Sequence, residues 1–192
     1  MIRRLYDWTL SLAAGPRAPV ALGSVSFIES SVFPIPPDLL LIPMVIARRE
    51  RAWWYAALCT LTSVLGGILG YLIGMFLFEQ VAVPVLTFYG KMDWLSEFTA
   101  VFNQYGWWFV FIAGLTPFPY KVITIASGVA GLSLPVFIFA SIVSRGLRFF
   151  AVAALLYLFG PPIKTFIEKR LGLMFTLFVV LLVGGFILLR YI

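Results

Sequence analysis

The chain has 192 residues, of which 62% are hydrophobic and only 11% charged, and its mean hydropathy is +1.03. A soluble domain of that size cannot hide so much apolar surface, so the composition excludes a water-soluble globule and points to lipid as the solvent. The formal net charge of +6 comes from 14 Lys+Arg against 8 Asp+Glu, and most basic residues flank apolar runs, so it argues for membrane orientation and anionic lipid rather than nucleic acid.

Residues 1–16 mix Arg3, Arg4 and Asp7 with Tyr6 and Trp8, which predicts a short interfacial helix ended by Gly15-Pro16. No A-x-A cleavage site follows a compact apolar run, so no removable signal peptide is expected. Residues 20–47 are apolar but hold Glu29, Asp38 and the run Phe33-Pro34-Ile35-Pro36-Pro37. Prolines at that density remove backbone donors and clash with the preceding turn, so a continuous helix is not expected there. After the basic loop Arg48-Arg49-Glu50-Arg51, residues 52–78 read as a full span with Trp53, Trp54 and Tyr55 at its edge. Within it Gly66, Gly70 and Gly74 recur every four residues and form a smooth face for close helix contact.

Residues 79–104, with Lys91, Asp93 and Glu97, read as a connector with amphipathic parts. The next apolar segment starts at Tyr105 and is broken by Thr116-Pro117-Phe118-Pro119-Tyr120-Lys121. Residues 134–159 read as a second full span, unusual for Arg145 and Arg148 inside it. A basic loop with Lys164, Lys169 and Arg170 precedes a last span over 172–190.

Charge decides the topology. If both Pro-broken segments are re-entrant, the clusters at Arg3, Arg4 and Arg17, at Arg48 to Arg51, and at Lys164 to Arg170 all fall on one side. The positive-inside rule makes that side cytoplasmic. Placing Pro34 over Pro117 also places Pro36 over Pro119 and Asp38 over Lys121. The expected fold is therefore an all-α, polytopic membrane protein forming one domain over 1–192. It contains two inverted repeats, 20–78 and 105–159, each a re-entrant segment followed by a transmembrane helix, plus the C-terminal transmembrane helix.

Each ionisable residue at membrane depth costs roughly 2.5–3.5 kcal/mol on insertion scales and requires a reason. Glu29 and Asp38 flank the first break and suit a proton relay in a water-filled cavity where two re-entrant tips meet. The plainer reading of Glu29 is as a cap or partner for the amides freed around Pro34. Arg145 and Arg148 are three apart, hence on one helix face, and with Lys121 they offer a cationic pocket for a lipid phosphate. Their plainer reading is ion pairing with Glu29 or Asp38, or, for Arg148 above all, snorkelling to an interface. With Cys59 as the one cysteine and no histidine, a disulfide, a zinc site and a Ser-His-Asp triad all lack their parts. No cofactor, metal or enzymatic activity is expected.

The run from Phe27 through Glu29, Phe33, Pro34 and Pro36 to Asp38 resembles the acidic signature of the DedA family, also called the SNARE-associated or VTT domain. The run from Gly114 through Thr116, Pro117, Pro119 and Lys121 to Gly128 and Gly131 is similar to the second signature of its YqaA-type branch. The resemblance covers roughly residues 20–160. It implies a multi-pass bacterial inner-membrane protein with opposed re-entrant segments that moves lipid phosphates or phospholipids between leaflets in a proton-linked way. The usual second signature is Arg-x-x-Pro-x-x-Arg. Anchored on Pro119, Thr116 stands at the first Arg, and Lys121 stands beside the place of the second.

The function expected is a flippase- or scramblase-like lipid transporter, with a proton-coupled small-solute transporter and a non-transporting membrane scaffold as alternatives. The expected partners are membrane lipids with anionic or phosphate-bearing headgroups. Protons and a second copy of the chain are further candidates, and nucleic acid is not one.

Overall fold

The computed structural model describes residues 17–31, 36–78, 80, 83–88, 92–116 and 119–160. The interfacial helix expected over 1–16, Pro34, Pro117 and the last span over 172–190 lie outside them. The described residues form seven α-helices and no strand. In chain order these are α1 (Ala18–Ser31), α2 (Asp38–Ala47), α3 (Ala52–Leu77), α4 (Val83–Phe88), α5 (Met92–Leu115), α6 (Tyr120–Val129) and α7 (Leu134–Phe159). A 3-10 turn, Arg49–Arg51, leads into α3.

Proline and glycine set the helix ends. α1 is described to Ser31, three residues ahead of Pro34 in the sequence. α5 stops at Leu115 just ahead of the second Pro-x-Pro, because the residue before a proline is pushed out of the helical region. α6 closes through Gly131 at φ 63°, with the amide of Leu132 returning to the Ser127 carbonyl. α7 has proline in its first turn and ends on Gly160 at φ 61°. The two halves thus share one order: a helix, a Pro-x-Pro break, a 10-residue helix and a 26-residue helix.

Part of the expected connector over 79–104 is helical. From Met92 it is already helix, and α5 runs unbroken through Tyr105 to Leu115. Lys91 to Glu97 lowered the apparent hydrophobicity there, but charge on one face does not interrupt a helix; proline does.

Stretches at 49–77 and 134–159 are long and apolar enough to cross a membrane. They pair antiparallel, as two buried clusters reveal. One joins Ala52, Tyr55 and Cys59 of α3 to Phe149, Ala153 and Leu156 of α7, together with Leu22 of α1 and Leu40, Leu41 and Val45 of α2. The other joins Tyr71 of α3 to Phe137 and Ala140 of α7, with Val110 of α5 and Tyr120 of α6. α1 lies along α3 and α5 along α7, while each short helix leans on the other half's long helix: α2 on α7, and α6 on α3. The glycines of α3 permit the closest approaches. A Cβ at Gly66 would collide with the Phe27 carbonyl, and one at Gly74 with the Ile125 carbonyl. The outward face of α3, with Leu61, Leu65, Leu72 and Phe76 exposed, suits contact with lipid tails.

Candidate functional site

Between the two apolar clusters lies a polar layer at the middle of α3 and α7. Arg145 anchors it. Its side chain is wholly buried, and its Nη2 donates to Oε2 of Glu29 at 2.8 Å. Nε donates to the Ser63 hydroxyl at 2.6 Å. The guanidinium carbon lies 4.8 Å from the ring centre of Tyr120 and 4.8 Å from that of Phe149, so α6 and α7 each place an aromatic face on the cation. Nη1 is buried and has no hydrogen-bond partner among the described residues.

Four helices, α1, α3, α6 and α7, bring these groups together. Glu29 sits in the last turn of α1, where the helix dipole disfavours a negative charge, so Arg145 is its main electrostatic support. Ser30 follows it and contacts Ser63 at 2.7 Å and Glu29 Oε2 at 3.2 Å. On α6 the Thr124 hydroxyl bonds the Lys121 carbonyl at 2.8 Å and reaches the Ser30 carbonyl at 3.3 Å. That contact joins the second half to one of the carbonyls that the end of α1 leaves open. Tyr120 closes the layer by donating to the Ser141 hydroxyl at 2.5 Å.

A second ion pair lies one helical turn further along α7. Arg148 Nη2 meets Asp38 Oδ2 at 2.5 Å, both side chains being 20% exposed. Asp38 opens α2, where the dipole favours it, and its Oδ1 is buried with no hydrogen-bond partner among the described residues. Breaking either pair would leave a charge in a poorly solvated place, which typically costs about 3–5 kcal/mol when burial is complete.

Several sequence expectations can now be located. Glu29 and Asp38 do flank the first break, and each is paired with an arginine of α7. Ion pairing, one plainer reading of both arginines, is present in the geometry, Arg148 meeting Asp38 with 20% of its side chain exposed. Lys121 is half-buried in the first turn of α6, and the cations of both pairs come from α7. Pro119 stands immediately outside α6, and Pro36 lies two residues ahead of α2, with Pro37 between them. Among the described residues no group of His, Cys, Asp and Glu could hold a metal ion. Sequence reasoning missed Ser30, Ser63, Tyr120 and Thr124. A signal existed: Ser26 and Ser30 are four apart in an otherwise apolar helix, hence on one face.

The profile of the VTT domain matches residues 35–158. The chain belongs to the VTT-domain family. An uncharacterized protein of Haemophilus influenzae is 35% identical over 186 residues, covering 97% of this chain and 96% of its own length. Another, from Histophilus somni, is 33% identical over 151 residues, covering 79% of this chain and 78% of its own. No solved structure matches. As a VTT-domain protein with two apolar helices of spanning length, the chain is a membrane protein. Its polar layer lies within the matched region except for Glu29 and Ser30, which α1 contributes from just outside it.

Proposed function

We propose that this VTT-domain protein moves a lipid phosphate or phospholipid between leaflets in a proton-linked cycle. The supporting observation is the pair of ion pairs, Glu29–Arg145 and Asp38–Arg148, set against a Pro-x-Pro break at the middle of two antiparallel spans. In this reading both Pro-broken segments are re-entrant, and the two halves are inverted repeats. Glu29 and Asp38 carry protons, while Lys121, Arg145 and Arg148 hold the headgroup phosphate. A proton on a carboxylate removes its charge and frees the partner arginine, whose planar fork matches phosphate oxygens. Deprotonation restores the pair and expels the phosphate. The protein catalyses no covalent chemistry; it acts in the bacterial inner membrane, its N-terminus cytoplasmic, on lipids with anionic headgroups.

Liposomes reconstituted with the protein and labelled lipids test this. Lipid exchange should exceed that of empty vesicles and fall at least about tenfold in Glu29→Gln, which forfeits a charge-assisted hydrogen bond. Exchange equal to empty vesicles, unchanged by Glu29→Gln, would defeat the proposal. The complete burial of Arg145 favours a second reading, a proton-coupled carrier of a small anionic solute. Pyranine-loaded proteoliposomes separate the two, because the second requires proton flux without lipid movement.

A further inference from the structure

The hydrogen bonds around Arg145 close a ring, and donor–acceptor chemistry sets its direction. Arg145 Nε carries only a donor, so the Ser63 oxygen accepts from it. The Ser63 proton then has the Ser30 oxygen at 2.7 Å as its acceptor. Ser30 must therefore send its own proton elsewhere. Two acceptors lie in reach: Glu29 Oε2 at 3.2 Å and the Ser26 carbonyl at 3.0 Å. With Glu29 charged, the first is the stronger electrostatic choice, and Arg145 Nη2 reaches the same oxygen from the other side. The ring runs Arg145, Ser63, Ser30, Glu29 and back to Arg145. Of its members only Glu29 retains side-chain exposure, 15%, so protons reach the ring through that residue.

We propose that Ser63 and Ser30 are positioning residues that lock Arg145 against charged Glu29 and convert protonation of Glu29 into release of Arg145. When Glu29 takes a proton, its oxygen ceases to be an anionic acceptor. The Ser30 hydroxyl turns to the Ser26 carbonyl, Arg145 Nη2 loses its ion pair, and the guanidinium is left with Ser63 and its two aromatic faces. Nη2 and the unpartnered Nη1 then form a two-donor fork for an anionic oxygen pair. The proton stays on Glu29, and Arg145 stays charged throughout.

The other groups around the ring are fixed in sign or paired. Arg148 and Asp38 form their own pair, and Tyr120 of α6 covers the guanidinium with Lys121 beside it in sequence. What Arg145 binds after release rests on the lipid-phosphate reading; the ring itself does not.

The test has one arm independent of transport. Label arginine with nitrogen-15 in the full chain in lipid nanodiscs, and follow hydrogen exchange at Arg145 Nε. Ser63→Ala should speed that exchange about tenfold or more, since it removes a charge-assisted acceptor. Ser30→Ala should speed it less, and acidification should lower the protection of the Nη positions, relative to free arginine at the same pH, in the wild type but not in Glu29→Gln. Ser26→Ala is the matched control: it deletes a buried bond from α1 to the Cys59 carbonyl but leaves the ring whole, so Nε exchange should stay as in the wild type. Equal exchange in Ser63→Ala and wild type, or equal acceleration by Ser26→Ala, overturns the proposal. The second arm measures lipid-phosphate transport against pH, where Ser63→Ala should flatten the wild-type profile and Ser26→Ala should keep it. A wild type that exchanges as expected but moves no lipid keeps the ring and defeats the transport reading alone.

Discussion

The two Pro-x-Pro breaks occupy equivalent places in their halves, yet they are stabilised by different means. At the first, Glu29 and Asp38 lie on either side of the interruption, and two arginines from α7 pair with them. At the second, Tyr120 and Thr124 supply hydroxyls to Ser141 and to the Ser30 carbonyl, and backbone contact does the rest. There Gly128 approaches α3 so closely that a Cβ would collide with the Tyr71 carbonyl. The described residues flanking the two breaks are thus held in two ways, by paired charge at the first and by close packing at the second. Charge costs more to bury but can be switched by a proton; packing cannot. In the proposed cycle the titrating role falls to the first break and a supporting role to the second.

That contrast can be broken by mutation. Arg145→Met should destabilise most, by about 3–5 kcal/mol, because it leaves Glu29 uncompensated. Adding Glu29→Gln should recover much of the loss, and denaturant unfolding in detergent micelles measures both. Gly128→Ala comes next, at about 1–3 kcal/mol, the usual range for forcing a methyl group into a closed interface. It should also impair transport only in proportion to lost stability. Asp38→Asn should cost about 1.5 kcal/mol, less than the Glu29 pair because Asp38 and Arg148 retain some exposure. Lys121→Gln should alter stability by under about 1 kcal/mol, as for a partly solvated cation, yet lower lipid-phosphate transport. If Gly128→Ala abolished transport while Asp38→Asn left it whole, the assignment of roles would be reversed.

Much of this organisation was legible in the sequence because it depends on proline and charge. Pro-x-Pro marks both breaks whatever surrounds them, and an arginine at membrane depth announces a partner. The acids could be named from Glu29 and Asp38 alone, but the pairing of Arg145 with Glu29 rather than Asp38 depends on how α1 lies along α3. Periodicity does not specify that. The start of α5 at Met92 was hidden because a short charged run resembles a loop in composition. Ser63 was hidden for another reason: a serine in an apolar helix usually bonds its own preceding turn, and only the crossing of α7 gives it an arginine.

The central claim is that the ion-paired layer between the breaks is where a lipid phosphate is held. Its most direct test is an experimental structure of the protein in nanodiscs with an added lipid phosphate. The account predicts phosphate density within hydrogen-bond reach, about 3 Å, of Arg145, Arg148 or Lys121, with at least one arginine–carboxylate pair opened. Lipid found only along the outer face of α3 at Leu61, Leu65 and Leu72, with both pairs closed, would contradict it.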